Sequence, residues 1–325
     1  MATIKDVAKL ANVSVATVSR YMNSNGYVSE KAAKQVAKAI ETLDYQPNEV
    51  ARSLFQKKSK LIGLLIPDIT NPFFPLLAKG IEDGLNDLGY TLILGNVEEN
   101  ERKQESYLST FINNQVAGVI SASFVRKPLL KGIPYVVVDR ISQRDKYSVA
   151  SDDFLGGKLA AEAVLETGFK RVTVMVGPRE LPGSEKRLAG IEHVFLEHGV
   201  SYQLFETKTF EFGSGTLIAQ ELFEKFPETD TVIASNDVFA LSVIHEARKR
   251  GLSVPEDLQI IGYDDIPFSA MTYPQLTTIS QPAYELGIQA ANLLHKVIED
   301  ETYHKENIVL PVQFVERQTL RKKNK

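Results

Sequence analysis

The sequence contains no cysteine, and its five histidines are scattered along the chain. The lack of cysteine excludes disulfides, Cys-ligated zinc and thiolate nucleophiles. No apolar run approaches the roughly 18 residues of a transmembrane helix, and the N-terminus lacks the apolar segment of a signal peptide. We therefore expect a cytoplasmic protein with no metal site, no cofactor and no membrane partner.

The net charge of −4 conceals an uneven distribution. Residues 1–60 contain ten Lys and Arg against five Asp and Glu, whereas the remaining residues contain 27 against 36. A basic segment beside an acidic remainder suggests that the first segment meets a polyanion, although a solvated basic surface has the same composition. Because 325 residues also exceed one ordinary domain, we expect a small basic module and a larger second domain.

The small module shows the pattern of three short helices. Thr3 is a candidate N-cap for a helix over Ile4–Ala11, and Ser14 is one for a helix over Val15–Met22. A third amphipathic segment covers Ser29–Leu43, with its apolar positions at Ala33, Val36, Ala37, Ile40 and Leu43. Three helices with a short turn between the first two are typical of a helix-turn-helix domain, whose second helix enters the major groove.

The outward residues of the second helix suit contact with DNA. Small apolar groups fit thymine methyls, hydroxyls fit phosphates, and an arginine fits guanine edges. These outward residues are Val15, Ala16, Thr17, Ser19 and Arg20. The alternative is an ordinary helical hairpin with an exposed polar face.

A short hinge follows the three helices. Pro47 can only begin a helix, so a helix over Asn48–Leu54 has at most two turns and is not stable alone. It would form against a partner, for example its copy in a dimer, with the small Ala51 allowing close approach. Leu54 would then act as a wedge between base steps in the minor groove. Residues 56–60 are polar and cationic, and an ordinary linker is the alternative for the whole stretch.

Four segments, IKDVA (4–8), VSVATVSR (13–20), YQPNEVAR (45–52) and LIGLLIPDITNPFF (61–74), resemble the lactose-repressor (LacI/GalR) family of transcription regulators. The resemblance extends over essentially the whole chain. It implies base-reading positions at Val15, Ala16 and Arg20, and a hinge helix that opens the centre of a palindromic operator with Asn48, Ala51 and Leu54. The residues that we assign to DNA binding are Thr3, Ser14, Val15, Ala16, Thr17, Ser19, Arg20, Asn23, Tyr27, Asn48, Ala51 and Leu54.

From Leu61 onward, apolar runs of strand length alternate with helical stretches, which predicts parallel α/β sheets. The predicted strands are Leu61–Ile66, Thr91–Gly95, Gly118–Ala122, Tyr135–Val138, Arg171–Val176, Thr231–Ala234 and Leu258–Gly262, with a final strand around Ile308–Val315. The pattern occurs twice, which predicts two lobes. Such sheets bind ligands beyond the carboxyl ends of their strands.

The side chains that follow these strands have the chemistry of a sugar site. Aromatic rings cover the C–H faces of a sugar ring, while carboxylates, amides and guanidinium groups bond its hydroxyls. Each residue has a plain alternative role, as a core aromatic, a surface ion pair or a helix cap. The residues that we assign to effector binding are Asn71, Phe73, Phe74, Asp139, Arg140, Arg187, Phe210, Asn236, Asp264 and Gln281. They resemble the sugar contacts of ribose-binding proteins and ribose repressors, so the resemblance implies ribose as the leading effector.

The resulting expectation is an α/β protein with a helix-turn-helix headpiece (1–46), a hinge helix and linker (47–60) and a two-lobed, periplasmic-binding-protein-like effector and dimerisation domain (61–325). Its partners would be double-stranded operator DNA, a sugar and a second copy of the chain, and operator binding would place it at the nucleoid. The absence of a leucine heptad tail favours a dimer over a tetramer, and residues 321–325 are expected to be a solvated end.

Three alternatives are weighed against this interpretation. A transport-type sugar receptor does not fit the missing signal peptide and the basic first module. A phosphorylated carrier protein as corepressor, in place of or beside a sugar or purine effector, stays open. An enzyme is disfavoured because Gly156-Gly157 and Gly213-Ser-Gly215 form no dinucleotide fingerprint, and no nucleophile elbow or Walker sequence occurs. We therefore assign no catalytic residue, and we interpret the acid pairs Asp152-Asp153 and Asp264-Asp265 as caps and ligand contacts.

Overall fold

A computed structural model describes residues 2–23, 26–45, 59–98, 100–123, 130, 132–142 and 144–322. The chain divides into two compact units, Met1–Ser59 and Lys60–Lys325. The hinge residues Asn48, Ala51 and Leu54 lie outside the described residues, so the predictions made for them stay predictions.

The described part of the first unit contains the helices α1 (Ile4–Ala11), α2 (Val15–Asn23) and α3 (Glu30–Thr42). The two predicted N-caps are confirmed. Thr3 forms a capping box, in which its backbone N donates to Asp6 Oδ2 at 2.8 Å and its hydroxyl accepts from Asp6 N. Ser14 Oγ accepts from Thr17 N at 3.1 Å. Asn12 ends α1 in the left-handed conformation (φ 52°), which asparagine adopts more readily than most residues.

A small apolar core joins the three helices. Val7 and Val18 are completely buried and belong to one cluster, as their spacing predicts. On α3 the buried residues are Val36 and Ala39, whereas Ala37, expected on the inner face, is exposed. The inner face of α3 therefore contains Ala39, three residues after Val36, and not the adjacent Ala37. Residues three apart lie on the same face of a helix, whereas adjacent residues do not.

The second unit consists of two six-stranded sheets with helices packed on them. The strands are β1 (Leu61–Ile66), β2 (Thr91–Asn96), β3 (Gly118–Ser121), β4 (Tyr135–Val138), β5 (Tyr147–Ser151), β6 (Val172–Val176), β7 (Tyr202–Glu206), β8 (Thr231–Ile233), β9 (Gln259–Asp264), β10 (Thr278–Ser280), β11 (Glu306–Leu310) and β12 (Gln313–Val315). The α-helices described in this unit are α4 (Phe73–Asp87), α5 (Glu101–Asn113), α6 (Asp153–Leu165), α7 (Pro182–Glu197), α8 (Gly215–Lys225), α9 (Asp237–Lys249) and α10 (Ala283–Glu299).

The strand orders are β11-β5-β4-β3-β1-β2 and β12-β10-β9-β8-β6-β7. Every described pair of neighbours is parallel except β10 and β12, which are antiparallel. The predicted two-lobed fold with parallel α/β sheets is therefore confirmed. Each lobe buries its sheet between helices, as the continuous apolar runs of β1 and β6 require.

The chain passes between the two lobes three times. It leaves the first sheet after β5 and enters α6, which packs on α7 of the second lobe. It returns after β10 into α10, which packs on α4, and it leaves again between β11 and β12. Asp152 N donates to Leu310 O at 2.9 Å, so two of the crossing segments are hydrogen-bonded to each other.

Several strand predictions differ from the structure. The sequence does not predict β5, β7 and β10, because β5 and β10 place Ser and Thr at buried positions and β7 is a sheet-edge strand whose residues are mostly half-buried. The predicted strand Ile308–Val315 is wrong as a single element, since Pro311 separates β11 from β12 and the two belong to different sheets. The run Arg171–Val176 is accordingly the sixth strand, not the fifth.

The expectation of a solvated end is wrong for Arg321. Its guanidinium donates to Gly168 O at 2.6 Å and to Asp230 Oδ2 at 3.1 Å, and its Nε lies 3.2 Å from Pro255 O. The arginine therefore ties the end of the described chain to three separate segments of the second lobe. Backbone carbonyls carry no sequence signature, which is why this contact was not predicted.

Candidate effector cleft and DNA-reading helix

The second unit contains a cleft between its lobes, beside the carboxyl ends of β1, β4 and β9. Its empty space is about 480 Å³, a volume that includes the open mouth. The wall includes all ten residues assigned to the effector from sequence, namely Asn71, Phe73, Phe74, Asp139, Arg140, Arg187, Phe210, Asn236, Asp264 and Gln281. Stretches that are far apart in the chain thus meet in one place.

The first lobe contributes two rings to the cleft. Phe73 and Phe74 begin α4, and their rings meet edge to face with centroids 5.3 Å apart. Asn71 Oδ1 accepts from Phe73 N at 3.2 Å and so fixes the start of the helix. The Arg140 guanidinium lies 5.8 Å from the centroid of the Phe74 ring. Both rings belong to the apolar core and also line the cleft, so a role in the core and a role in ligand binding are compatible for these phenylalanines.

The second lobe contributes Arg187 from α7. Its Nε donates to Asp153 Oδ1 at 2.7 Å, and its Nη1 donates to Ser235 O at 3.1 Å. The guanidinium also stacks on Tyr263, with its central carbon 3.7 Å from the ring centroid. The helix can bring Arg187 this close because a Cβ on Gly157 of α6 would lie 1.9 Å from Arg187 O. Gly157 therefore serves helix packing, in line with the absence of a dinucleotide fingerprint.

Amide and carboxylate groups complete the second-lobe wall. Gln281 Nε2 donates to Asp264 Oδ1 at 2.7 Å, while the buried Gln281 Oε1 has no partner among the described residues. Asn236 Oδ1 accepts from Phe239 N at 2.8 Å, so Asn236 caps α9 and also lines the cleft. An acceptor buried without a partner is costly, and a ligand hydroxyl would satisfy it.

The backbone is strained where the carboxylates enter the cleft. Asp139 has φ 66°, Asp264 has φ 116° and Asp265 has φ 59°, all in the region that residues with a side chain rarely occupy. Arg317 Nη2 donates to Asp265 Oδ1 at 2.6 Å, and this ion pair holds the turn after β9. Strain of this kind persists only where the surroundings over-determine it, and it concentrates at binding sites.

Burial also changes the acidity of the two cleft carboxyls. It raises the pKa of Asp139 to about 6, against the opposing attraction of Arg140 and Arg187. Burial raises the pKa of Asp264 well above its usual value too, again opposed by Arg187. The cleft thus combines two desolvated carboxyls with two guanidinium groups, a balanced set that suits a neutral polyhydroxylated ligand better than a charged one.

In the first unit, α2 presents the predicted DNA-reading face. Val15, Ala16 and Arg20 are exposed, whereas Thr17 and Ser19 are half-buried. Thr17 Oγ1 lies 2.9 Å from Ser14 Oγ, so both hydroxyls are engaged at the start of the helix. Of the other assigned positions, Thr3 caps α1 and Tyr27 is exposed, while the Asn23 side chain lies outside the described residues.

The described part of the chain was compared with the requirements of a membrane-spanning helix and of a metal-binding cluster. No helix there is both long and apolar enough to cross a bilayer. No group of three His, Cys, Asp or Glu side chains is arranged to hold a metal ion there.

Comparison with known proteins agrees with this geometry. Residues 3–48 match the family model for bacterial regulatory proteins of the lacI family, and residues 161–320 match that for a periplasmic binding protein-like domain. The chain is 48% identical to the ribose operon repressor of Bacillus subtilis (strain 168), over 100% of both chains. It belongs to the lacI family. The predicted resemblance is thereby confirmed.

Two solved structures of lacI-family proteins extend the comparison. The lac repressor dimer bound to operator and the anti-inducer ONPF has a TM-score of 0.87 and 25% identity, with 98% of each chain covered. A LacI family transcriptional regulator from Enterococcus faecium with bound ribose has a TM-score of 0.72 and 33% identity, covering 80% of this chain and 98% of that one. The lacI-family fold therefore extends over both units of this chain.

Sequence reasoning missed several residues at the cleft. Leu181, Gly183 and Ser184 also line it. Ser184 stands one helical turn before Arg187 on α7, so the i,i+3 rule could have found it. Asp153 was interpreted as a cap, but the cap of α6 is Asp152, whose Oδ1 accepts from Leu155 N at 3.0 Å. Asp153 instead pairs with Arg187.

Proposed function

We propose that this chain is a DNA-binding repressor of a sugar-utilisation operon, that it binds a two-fold-symmetric operator as a homodimer, and that ribose releases it. The observation that carries the proposal is the meeting of three rings, two carboxyls, two guanidinium groups and three amides in one cleft. We assign residues 1–46 to the headpiece, 47–60 to the hinge and linker, and 61–325 to the effector domain, in a cytoplasmic protein without catalytic residues.

The chemistry of the cleft favours a neutral sugar. Phe73, Phe74 and Phe210 offer apolar faces for C–H groups. Asp139 and the unpartnered Gln281 Oε1 accept hydrogen bonds from hydroxyls, and arginines donate them. The printed names of the 48%-identical Bacillus subtilis repressor and of the ribose-bound Enterococcus faecium regulator support ribose as that sugar.

The headpiece supplies sequence recognition in this proposal. Val15 and Ala16 contact base edges and thymine methyls, and Arg20 donates to a guanine. Hinge helices that fold only against each other insert Leu54 into the minor groove at the centre of the operator. Replacing Leu54 with Ala should therefore weaken operator binding and leave sugar binding intact, and equal operator affinity would remove the wedge from the account.

Both lobes supply side chains to the cleft, so a bound sugar joins them. A ligand that prefers one arrangement of the lobes shifts the population toward it. Release from DNA requires the sugar to favour the arrangement with separated hinges, with a coupling of about 1–3 kcal/mol. Reciprocity then requires operator DNA to weaken sugar binding by the same factor.

The decisive experiment is calorimetry of the full chain against pentoses, hexoses and purines, followed by gel-shift selection of operator sequences. The proposal predicts one ribose per chain as the strongest binder and a palindromic selected sequence. Stronger binding of a purine or a hexose would overturn the choice of effector. Phosphate-dependent capture of a carrier protein, together with no measurable binding of ribose, would favour the corepressor alternative instead.

A further inference from the structure

Asp153 lies behind the cleft wall rather than in it. It is the first residue of α6, directly after the chain crosses from the first lobe into the second at Asp152. Its side chain is only 8% exposed, and it forms an ion pair with Arg187. Burying a carboxylate costs free energy unless the carboxylate is paired and hydrogen-bonded.

Asp153, Arg187 and Tyr263 form a closed triangle. Asp153 Oδ1 accepts from Arg187 Nε at 2.7 Å and from the Tyr263 hydroxyl at 3.3 Å. The Arg187 guanidinium in turn stacks on the Tyr263 ring at 3.7 Å. Asp153 therefore fixes the direction of the guanidinium within its plane, and the Tyr263 ring fixes the orientation of that plane.

Two glycines leave the room that this triangle needs. A Cβ on Gly183 would come within 2.9 Å of Asp153 Oδ2, and a Cβ on Gly156 would come within 2.4 Å of the Tyr263 hydroxyl. Any larger residue at either position would displace a member of the triangle. The members of the triangle thus come from α6, α7 and β9, and the two glycines come from α6 and the start of α7.

The triangle determines which donors Arg187 presents to the cleft. Nε is used by Asp153 and Nη1 by Ser235 O, whereas Nη2 has no hydrogen-bond partner among the described residues. Because Arg187 lines the cleft, Nη2 is the donor available to a ligand hydroxyl. A guanidinium that is already held in place loses less conformational entropy when it binds.

We propose that Asp153 and Tyr263 are positioning residues for the effector, which act through Arg187 and do not touch the ligand. This inference rests on the proposed function for the identity of the probe, ribose. In this proposal Asp153 contributes to effector affinity. Asp153 directly follows the first crossing between the lobes and pairs with Arg187, so it connects this crossing to the guanidinium that binds the ligand.

The test is a double-mutant cycle with ribose calorimetry on the full-length protein. Asp153→Asn should weaken ribose binding by about 10- to 100-fold, the range for a lost hydrogen bond to a charged group. Tyr263→Phe should weaken it about two- to tenfold, since it loses one neutral donor and keeps the ring. Glu162→Gln, a half-buried position on the same helix with a side chain 45% exposed, is the matched control and should leave the affinity unchanged.

The background variant Arg187→Met separates positioning from a general structural role. In that background, Asp153→Asn and Tyr263→Phe should cause no further loss, because the group through which they act is gone. Equal losses in both backgrounds, or wild-type affinity in Asp153→Asn, would overturn the inference. If Asp153→Asn does not fold, the Tyr263→Phe arm decides by the same criterion.

The wild-type titration separates the two proposals. A wild-type protein that does not bind ribose contradicts the choice of ribose as the effector. A wild-type protein that binds ribose, with additive variants, contradicts only the positioning role of Asp153 and Tyr263.

Discussion

On the DNA-reading helix, Val15 is 41% exposed, whereas in the cleft Asn71, Arg140 and Asp264 are 4%, 7% and 8% exposed. The helix holds its recognition residues outside the small headpiece core, of which Val18 is the completely buried member on α2. The cleft builds its recognition residues into the core of the larger unit. Substitutions on the helix should therefore change recognition alone, and substitutions in the cleft should change recognition and stability together.

The two regions also differ in charge. Residues 1–60 are basic, with ten Lys and Arg against five Asp and Glu, and the remaining residues are acidic. Exposed cations bind a polyanion, and dissolved salt screens this attraction. Buried, paired charges bind a neutral sugar and are screened much less. Salt should accordingly weaken operator binding far more than ribose binding.

The largest expected effect is in the cleft. Asp139→Ala should cost about 2–5 kcal/mol of ribose-binding free energy, because it removes an acceptor for ribose hydroxyls and a buried carboxylate that attracts Arg140 and Arg187. Calorimetry measures the loss, with the exposed Asp300→Ala as a control that should bind ribose normally. Operator affinity without sugar should be unchanged for both. A normal ribose affinity in Asp139→Ala would remove that carboxylate from the site.

On the helix, Arg20→Ala should cost about 1–3 kcal/mol of discrimination between operator and scrambled DNA. The reason is the loss of a donor pair to a guanine edge. Competition gel shifts measure the ratio of the two affinities. Lys38→Ala on α3 serves as a control that removes an exposed cation without changing the ratio. If Arg20→Ala weakens both DNAs equally, Arg20 contacts only phosphate.

The pH dependence of ribose binding should come next in size. The pKa of Asp139 is about 6, and hydroxyls donate best to the ionised form. Protonation below that pKa therefore competes with the sugar, and affinity should fall by about tenfold between pH 8 and pH 5. Arg140 and Arg187 stay charged throughout, no histidine among the described residues lines the cleft, and Asp264 is the other cleft carboxyl whose pKa burial raises. Calorimetry across this range should show a flatter profile in Asp139→Asn, and an equally steep one would assign the titration elsewhere.

The smallest expected effect concerns headpiece stability. Thr3→Ala removes the capping box of α1 and should destabilise that helix by about 1 kcal/mol. Hydrogen exchange of the α1 amides in the full chain measures the change. Thr42→Ala, at the exposed end of α3, is the comparison and should leave exchange in α1 unaltered. Ribose affinity should be the same in both variants, and a change would show that the two regions are not separable.

Much of this architecture can be predicted from the chain. The apolar run Leu61–Ile66 becomes a strand with the predicted bounds, and the carboxyl-end rule places Asn71, Asp139 and Asp264 in one cleft. What could not be predicted depends on contacts between distant elements. Asp153 faces Arg187 because glycines let two helices approach closely, and no local pattern encodes that distance.

The crossing strands were missed for a related reason. Pro311 divides one apolar stretch between two sheets, and only the tertiary fold assigns β11 and β12 to different lobes. The strand β5 is fully buried although it contains Ser148 and Ser151, so its composition looks like that of a loop. Periodicity reports which residues are apolar, but it does not report where the chain changes lobe.

The most direct test of the account measures the affinity of the full-length protein for its selected operator with and without saturating ribose, by fluorescence anisotropy at fixed salt. The account predicts that ribose weakens operator binding by about 5- to 150-fold and that operator DNA weakens ribose binding by the same factor. Operator affinity that is unchanged or increased by saturating ribose would contradict it.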